Sequence, residues 1–586
     1  MHTEQPRIPG IIIAGTGSNT GKTTATLALL CALAARGIPV RAAKTGPDYI
    51  DAAFHAAITG LPAANLDTWM CRETLPKAGE SPLTSKKRLP RGLRSVFARM
   101  AGPENSQKHS FGTPAPALLV VEGAMGLYDG GHGGAGSTAQ LAALLDLPIL
   151  LICSAAGLGQ SVAPLVEGYV RHKPHWLSVH GPTPRFLGVI CTHVGSPRHA
   201  EIIEDALKPL QKTDGLPLLG LLPRAGAPAL KSRHLGLVEA REALSALDRP
   251  ALAHWFEENC RLDALLRLVG TADSLHNTPD AAAFFMANAE KGSPATEETA
   301  WAARFFMPRP PGGRHVLQNA VDGAGMGQHD APAAPQKTST PKRTRRPRVG
   351  MAWDAAFSFC YADLPPLLAE LGAELVFFSP LRDAAPPRGC SALYFPGGYP
   401  ELHAPQLSTN VHMLDALRAL ARNGLPIYGE CGGYIYLMHS LRLKTHDGAD
   451  RATEHPMAGL LPIHCTLGQE RAALGYRAAL ALPGWPQDRP QHRAQTGAGA
   501  ECSRPAPIWV RGHEFHYARE DDSPLPAHCA PLWNLYDSKG IFLRQEGCRH
   551  GSVAGTWLHC YPEGSRRFWR TWLKAATLTP QDMLTS

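Results

Sequence analysis

Residues 11–23 read Ile-Ile-Ile-Ala-Gly-Thr-Gly-Ser-Asn-Thr-Gly-Lys-Thr, an apolar run that leads into a glycine-rich loop. A short continuous apolar run is typical of a strand that is buried on both faces of a parallel sheet. Apolar residues then recur at helical spacing from Thr23 to Arg36, and Gly37 ends the predicted helix. This order brings backbone N–H groups and a helix N-terminus to one point, which favours phosphate binding.

The loop also supplies side chains suited to a nucleotide. Lys22 provides a mobile cation and Thr23 a hydroxyl group for a metal ion. In the common spacing the first glycine would stand at position 16, whereas Gly15 comes one residue earlier. ATP and Mg²⁺ are therefore the expected cofactors. The predicted nucleotide-binding residues are Gly15, Thr16, Gly17, Gly21, Lys22, Thr23 and Thr24.

Five more apolar runs predict further strands in the first half of the chain. They are Val40–Ala43, 117–121, 148–152, Phe186–Cys191 and Leu218–Leu222. Because these strands alternate with helical patterns, we expect a doubly wound parallel sheet over residues 8–270. Residues 74–116 are rich in Lys, Arg, Ser, Gly and Pro, and we interpret them as a surface insertion.

Carboxylates come after two of these predicted strands. Asp48 and Asp51 follow the second strand, and Glu122 and Asp129 follow the third. Ligands bind at the carboxyl edge of such sheets, so these side chains should lie near the phosphate loop. A single acid could be a simple cap, but four at one edge favour Mg²⁺ binding and substrate activation.

A second α/β pattern starts after a linker rich in Ala, Pro and basic residues, 271–347. Strands are predicted at 349–352, Glu374–Phe378 and 393–395, with a helix at Leu364–Leu371. Residues 482–507 are rich in Pro, Gln, Arg and Gly and are predicted to be an inserted loop. The second domain is therefore expected to span residues 348–575.

Cys431 is the predicted nucleophile of this second domain. It lies between Gly429-Glu430 and Gly432-Gly433, directly after a predicted strand, where a sharp turn would expose its thiol. Such a thiol needs a base, and His559 is the predicted one. A lone Cys or His is more often part of a core, but the glycine frame favours catalysis. The backbone N–H groups expected to form an oxyanion hole are those of Gly397, Gly398 and Gly432.

Bulk composition excludes several other classes. The net charge of +8 comes partly from clusters around Lys86–Arg94 and Lys342–Arg348, which lack interleaved aromatic residues and read as solvated loops, so nucleic-acid binding is not expected. The thirteen cysteines show no Cys-x-x-Cys pair, as in reduced cytosolic proteins. We predict a soluble, cytoplasmic protein without a membrane partner, and a homodimer is compatible with the sequence. His513 and His516 should point to opposite faces of a strand, which disfavours a metal site there.

Several of these segments resemble a known family. The N-terminal loop resembles that of dethiobiotin synthetase and its relatives, and other segments look like the cobyrinic acid a,c-diamide synthase family. These segments are Lys44–Asp51, Asn65–Asp67, Glu122–Gly130, Gly136–Ala139 and Arg233–Leu237. Where the family usually carries an Asn before Val-Gly-Ser, this chain has Thr192-His193, so the resemblance does not define the nucleotide base.

The second half resembles the class I glutamine amidotransferase domain of cobyrinic and cobyric acid synthases. The resemblance rests on the segments around Gly397, Cys431 and His559, on Leu474–Tyr476 and on Gly512–Tyr517. It implies a flavodoxin-like domain beside a P-loop NTPase-like domain. Many class I glutaminases place a Glu two residues after the base, but here that position is Tyr561, which implies a Cys–His dyad.

The combined resemblance implies ATP-driven amidation of the a and c acetate groups of cobyrinic acid in cobalamin biosynthesis, with glutamine as nitrogen donor. Hydrogenobyrinic acid and a nickel-sirohydrochlorin are alternative substrates of the same chemical type. Cobyric acid synthase, which amidates other side chains, is a second hypothesis. A nucleotide-switched regulatory ATPase is a third, from a different class, and it would not need Cys431 or His559.

Overall fold

The computed structural model describes residues 9–75, 89–101, 118–131, 134–178, 184–226, 247–270, 346–444, 452–484 and 507–577. Three sequence predictions lie wholly or mostly outside these ranges. They are the linker at 271–347, the loop at 482–507 and the motif Arg233–Leu237. Lys86, Lys87 and Arg88 also lie outside them.

The first half of the chain alternates strands and helices. In chain order its elements are β1 (Gly10–Gly15), α1 (Lys22–Ala35), β2 (Val40–Thr45), α2 (Tyr49–Thr59), β3 (Ala64–Leu66), α3 (Arg91–Ala101), β4 (Leu118–Gly126), α4 (Thr138–Leu145), β5 (Ile149–Ser154), α5 (Val162–Arg171), α6 (His175–Ser178), β6 (Phe186–Val194), α7 (Pro197–Asp214), β7 (Leu218–Pro223), α8 (Arg249–Asn259) and α9 (Leu262–Val269).

The seven strands form one parallel sheet in the order β3-β2-β4-β1-β5-β6-β7. Residues of β1 alternate between two cores, with Ile11 and Ile13 on one face and Ile12 and Ala14 on the other. All four side chains are at most 1% exposed. Apolar groups on both faces of a strand require cover on both faces, which the helices provide. The predicted doubly wound sheet is therefore confirmed.

The central strands place the predicted ligand groups at one edge. β1 pairs with β4, and β4 pairs with β2, so the segments after β1 and β2 leave the sheet on either side of β4. β4 is longer than predicted and runs to Gly126, so Glu122 lies inside the strand rather than after it. Its register partners are Ile13 of β1 and Lys44 of β2.

The interpretation of residues 74–116 as a surface insertion is wrong for their middle part. Residues 91–101 form α3, which packs into the N-terminal core. Arg91 and Arg94, which we expected in a solvated loop, lie on the exposed side of this helix. The apolar residues have helical spacing and share one face. These buried residues are Leu93, Val96, Phe97 and Met100.

The second half contains its own sheet and two additional ones. Its elements in chain order are β8 (Arg348–Ala352), α10 (Leu364–Glu370), β9 (Glu374–Phe378), β10 (Ala392–Phe395), α11 (Ala404–Thr409), α12 (Val411–Arg422), β11 (Ile427–Glu430), α13 (Gly432–Leu437), β12 (Ser440–Lys444), β13 (Ala452–Pro456), β14 (His464–Leu467), β15 (Ala473–Ala481), β16 (Trp509–His516), β17 (Ala518–Glu520), β18 (Trp533–Tyr536), β19 (Phe542–Glu546), β20 (Cys548–His550), β21 (Val553–Thr556), β22 (His559–Cys560) and α14 (Arg566–Ala576). Across the described ranges, no helix has both the length and the apolar character that crossing a bilayer requires.

The main C-terminal sheet has the order β20-β21-β11-β10-β8-β9. Its strands are parallel except for β20 at one edge. The segments after the adjacent strands β10 and β11 carry Gly397, Gly398 and Cys431. The predicted α/β architecture is confirmed, whereas the sheets β13-β12-β14-β17 and β19-β18-β15-β16-β22 were not predicted.

The two halves share a core. Tyr361, Ala478 and Tyr561 of the second half belong to the same buried cluster as one face of the N-terminal sheet. The Tyr561 hydroxyl donates a hydrogen bond to the Asn65 carbonyl at 2.6 Å, and the Tyr476 hydroxyl donates one to Asp67 at 2.7 Å. The packing of each half therefore depends on the other.

Candidate active site

The phosphate loop has the conformation that its sequence predicts. Gly21 precedes α1 with φ +80°, a left-handed value that favours glycine. Lys22 Nζ donates a hydrogen bond to the Gly17 carbonyl at 2.8 Å, so the ammonium group curls over the loop. Burial and, second, the nearby Lys44 lower the pKa of Lys22. A cationic group held in this way is suited to a polyphosphate.

Glu122 is the centre of a buried polar network beside this loop. Its side chain is fully buried and accepts hydrogen bonds from the Thr23 hydroxyl at 2.7 Å and from Lys44 Nζ at 2.8 Å. His55 Nε2 lies 2.8 Å from its other oxygen. Burial alone would raise the pKa of Glu122, but Lys44 and His55 lower it overall. The carboxylate is therefore held ionised next to the phosphate loop.

Lys44 joins two of the predicted carboxylates. Its Nζ lies 2.6 Å from Asp51 Oδ2 and 2.8 Å from Glu122 Oε1. Burial would lower the pKa of Lys44, but these two acids raise it. Lys44 and His55 were not predicted as site residues. A signal existed for His55, because it stands four residues after Asp51 and so shares its helix face.

Asp48 and Asp129 lie at the same sheet edge but make local contacts. Asp48 Oδ1 accepts hydrogen bonds from the backbone of Ile50 and Asp51 at 2.9 and 3.1 Å and so caps α2. Asp129 Oδ2 accepts one from the Gly126 backbone at 2.8 Å. Asp48 thus has the capping contacts that the sequence left open as an alternative, whereas Asp129 makes a turn contact. Thr24, on the first turn of α1, is half-buried.

Thr192 and His193 lie at the far end of the phosphate loop. The Thr192 hydroxyl donates to the Thr20 carbonyl at 2.7 Å, and His193 Nδ1 lies 2.8 Å from the Ser154 hydroxyl. His193 has φ +57°. The segment that departs from the family pattern is thus fixed against the nucleotide loop.

Cys431 occupies a strained turn between β11 and α13. Its φ is +48°, a value that non-glycine residues rarely adopt and that is typical of a nucleophile elbow. Its backbone N–H donates to the Thr556 carbonyl at 2.7 Å. The glycine neighbours are required, since a Cβ at Gly433 would stand 2.1 Å from the Phe395 carbonyl oxygen. The turn therefore presents the thiol at the carboxyl end of the strand.

The three predicted oxyanion glycines meet beside this turn. A Cβ at Gly432 would lie 2.7 Å from the Gly398 nitrogen, and a Cβ at Gly397 would lie 2.4 Å from His559 Cε1. Segments after β10 and β11 therefore approach each other and the predicted base. Their role as oxyanion donors stays a prediction.

The His559 ring is enclosed by aromatic groups. The side chain is 2% exposed and stacks on His513, with ring centroids 4.9 Å apart and an interplanar angle of 15°. Burial, with contributions from His513 and His516, lowers the pKa of His559 well below its ordinary value. Tyr561, which stands where many class I glutaminases have a Glu, is committed to Asn65.

The thiol is also held neutral in the resting site. Burial raises the pKa of Cys431, and the nearby Glu401 and Glu430 raise it further. Glu430, next to Cys431, is buried, accepts a hydrogen bond from Tyr394 at 3.0 Å, and has its pKa raised by burial to about 8. Sequence analysis did not single out Glu430. The resting pair is thus a thiol and a neutral imidazole.

The two histidines of β16 have different surroundings. His513 Nδ1 lies 3.0 Å from the Tyr361 hydroxyl, on the side of His559. His516 stacks on Trp557 at 4.3 Å, and its Nδ1 lies 2.8 Å from the Ala518 carbonyl. Among the described residues, no cluster of three His, Cys, Asp or Glu side chains is arranged to hold a metal ion.

Each half matches a domain family. Residues 11–237 match the CobQ/CobB/MinD/ParA nucleotide binding domain, and residues 348–566 match the CobB/CobQ-like glutamine amidotransferase domain. The hydrogenobyrinate a,c-diamide synthase of Brucella abortus is 34% identical over 94% of this chain and 98% of its own length. The hydrogenobyrinate a,c-diamide synthase of Rhodobacter capsulatus is 33% identical over 94% of this chain and 98% of its own length. The cobyrinate a,c-diamide synthase of Gloeobacter violaceus is 35% identical over 97% of each chain.

A nucleotide-binding sheet joined to a glutaminase sheet defines an ATP-using carbon–nitrogen ligase that takes its nitrogen from glutamine. More narrowly, the chain belongs to the family of cobyrinate and hydrogenobyrinate a,c-diamide synthases.

Proposed function

We propose that this enzyme converts the a and c acetate groups of cobyrinic acid, or of its metal-free counterpart hydrogenobyrinic acid, into primary amides in cobalamin biosynthesis. The names of relatives that match nearly the whole chain support this substrate class. The observation that carries the proposal is that the phosphate loop and the turn at Cys431 belong to one packed molecule whose halves share a buried core. We assign ATP chemistry to residues 8–270 and glutamine hydrolysis to residues 348–575.

Glutamine hydrolysis is assigned to Cys431 and His559. His559 takes the thiol proton as Cys431 Sγ attacks the side-chain amide carbon of glutamine, and the N–H groups of Gly397, Gly398 and Gly432 receive the oxyanion. The proton then passes to the leaving nitrogen, which departs as ammonia and leaves a thioester. Water cleaves the thioester to glutamate and returns the thiol.

Amide formation is assigned to the edge of the N-terminal sheet. A substrate carboxylate attacks the terminal phosphate of ATP, giving an acyl phosphate and ADP. Ammonia then displaces phosphate, and the amide forms. Lys22 and Lys44 balance negative charge near the phosphates, and the backbone N–H groups of Gly15–Gly21 orient them. Thr16, Thr23 and Thr24 complete the proposed nucleotide contacts.

Two carboxylates and one hydroxyl beside the phosphate loop suit Mg²⁺ when phosphate and water supply its other ligands. The Thr23 hydroxyl and the Glu122 carboxylate are oxygen groups 2.7 Å apart, and Asp51 is joined to Glu122 through Lys44. Mg²⁺ prefers such oxygen ligands together with phosphate and water. Thr23, Asp51 and Glu122 would hold it, with Asp48 and Asp129 at the edge of the site. When bound, the ion would neutralise phosphate charge.

The test is a Cys431→Ser variant, because serine is isosteric but a much weaker nucleophile in this setting. We expect glutamine-dependent amidation to fall by at least about a thousandfold, by analogy with the loss of other nucleophiles. Amidation with added ammonium chloride should stay within about twofold of wild type, since ligase groups are untouched. Mass spectrometry of cobyrinic and hydrogenobyrinic acid after turnover counts the amides formed.

Each outcome of that test has a defined meaning. Two amides support the a,c reaction, and four would instead indicate the cobyric acid synthase reaction. Equal loss of both nitrogen sources in a folded variant would refute the assignment of roles. If the wild type did not hydrolyse glutamine, the regulatory ATPase hypothesis would be favoured instead. The cytoplasmic location and the homodimer stay predictions.

A further inference from the structure

Within the described part of the chain, Nδ1 of the proposed base His559 has no polar partner that would fix the ring. His559 Nδ1 is buried, and among the described residues it has no hydrogen-bond partner. In Cys–His and Ser–His enzymes the base is usually oriented by a third group that binds this nitrogen. Tyr561 does not take that place, because its hydroxyl is bonded to Asn65. Among the described residues, the contacts that hold the His559 ring on this side are therefore packing contacts.

Packing against His559 comes from three directions. Gly397 lies against Cε1 so closely that a Cβ would stand 2.4 Å away. His513 stacks on the ring at 4.9 Å, and its own Nδ1 lies 3.0 Å from the Tyr361 hydroxyl. Tyr49 covers His559 at 5.3 Å with an interplanar angle of 55°. Loss of one of these three contacts would leave the His559 ring free to rotate.

Of the groups that pack on His559, Tyr49 comes from the other half of the molecule. It also contacts Tyr361 at 4.5 Å and His513 at 5.5 Å, so it packs on every ring of the group that surrounds the base. Tyr49 is the first residue of α2, and Asp48 caps this helix. Asp51, two residues after Tyr49, is paired with Lys44. The segment that carries the ligase carboxylates therefore also touches the glutaminase base.

We propose that Tyr49 is a positioning residue of glutamine hydrolysis, supplied by the ATP-binding half to complete the Cys431–His559 site of the other half. This inference rests on the proposed glutaminase role of that pair. Tyr49 holds the imidazole where it receives the thiol proton and delivers it to the leaving nitrogen. Because α2 starts at Tyr49, a shift of this helix in the ligase site also moves the Tyr49 ring that packs on His559.

The experiment measures glutamate release from glutamine by the full chain and compares Tyr49→Phe, Tyr49→Leu and Tyr49→Ala. Misplacement of a catalytic group by about 1 Å costs about a hundredfold in rate. We expect kcat to fall by about ten- to a hundredfold in Tyr49→Ala and Tyr49→Leu, with the KM for glutamine changed less than about twofold. A kcat effect without a KM effect identifies an interaction made in the transition state. Tyr49→Phe, which keeps the ring, should retain activity within about threefold.

Tyr476→Phe is the matched control. Tyr476 also joins the halves, through Asp67 and by packing on Trp69, and no ring contact between it and His559 is among the described ones. It should lower the melting temperature without changing kcat. Wild-type kcat in folded Tyr49→Leu and Tyr49→Ala would overturn the inference. Absence of hydrolysis by the wild type itself would instead overturn the proposed function.

Discussion

At the scale of single residues, Cys431 and His559, the proposed catalytic pair, are both held in their uncharged forms. Burial raises the pKa of the Cys431 thiol and lowers that of the His559 imidazole, so proton transfer between them is unfavourable at rest. In the proposed mechanism, bound glutamine and the backbone N–H groups assigned to the oxyanion shift this balance. The site is therefore built to hold little thiolate before glutamine arrives.

This environment predicts the acid limb of the pH profile for kcat/KM. His559 acts as a base only when neutral, and its neighbours His513 and His516 add to burial in lowering its pKa, while Glu514 opposes them. Because the folded pKa lies well below the ordinary value of 6.5, the imidazole stays neutral as the pH falls through 6.5. We expect kcat/KM for glutamine hydrolysis to be undiminished at pH 6.5 and to fall only in more acidic buffer. Initial rates of glutamate release check this, and a half-maximal point at or above 6.5 would contradict it.

At the scale of elements, local sequence patterns predicted the strands, but they did not predict contacts between residues that are distant in the sequence. The runs that include Ile11–Ile13 and Glu374–Phe378 are apolar over short lengths, and both are strands in the structure. The phosphate loop and the turn at Cys431 were predictable because their backbone geometry requires glycine at fixed positions. His55 and Glu430 were missed because their importance comes from partners distant in the sequence.

Helix α3 shows why one element was misread. Its apolar residues have helical spacing, but they are interleaved with arginines and flanked by polar, glycine-rich sequence. Only the structure shows what those charges face. Arg99 lies 2.7 Å from Glu563, 3.1 Å from Asp363 and 3.3 Å from Glu370, all in the other half. Arg99, an arginine of the misread segment, is thus a contact between the halves.

Arg99→Ala should therefore be strongly destabilising. It leaves the carboxylates of Asp363 and Glu563, which are 7% and 2% exposed, without this partner. Removal of one member of a buried ion pair costs about 3–5 kcal/mol. We expect a loss of that order in the free energy of unfolding, measured by urea titration. Arg91→Ala, on the exposed side of the same helix, should change stability by less than about 0.5 kcal/mol. Equal effects of the two variants would show that Arg99 is not engaged in solution.

At the scale of the whole molecule, the two halves are arranged to behave as one. In the proposed mechanism, nitrogen is released at one sheet edge and used at another, and the contacts between the halves lie around the residues assigned to both reactions. Tyr49 packs on His559, while Tyr476 and Tyr561 donate hydrogen bonds to Asp67 and Asn65. Such packing lets binding in one half stabilise the other.

Arg511 provides the test of this unity. On β16 it donates hydrogen bonds to the Trp69 carbonyl at 2.9 Å and the Thr74 carbonyl at 2.7 Å, and it stacks over the Trp69 ring at 4.6 Å. The side chain is buried, so Arg511→Ala leaves those carbonyls without a donor and loses the stacking, a cost of about 3 kcal/mol or more. By calorimetry we expect the wild type to unfold in one transition that ATP shifts as a whole.

In Arg511→Ala the transition should broaden or split, and ATP should shift only the part that belongs to the N-terminal sheet. Arg519→Ala, at an exposed arginine on β17, is the matched control and should leave a single transition. Independent melting of the two halves in the wild type would mean that the shared core does not couple them. In that case binding of ATP could not reach the Cys431 site through the packing described above, because coupling between distant sites needs an element whose state both ligands bias.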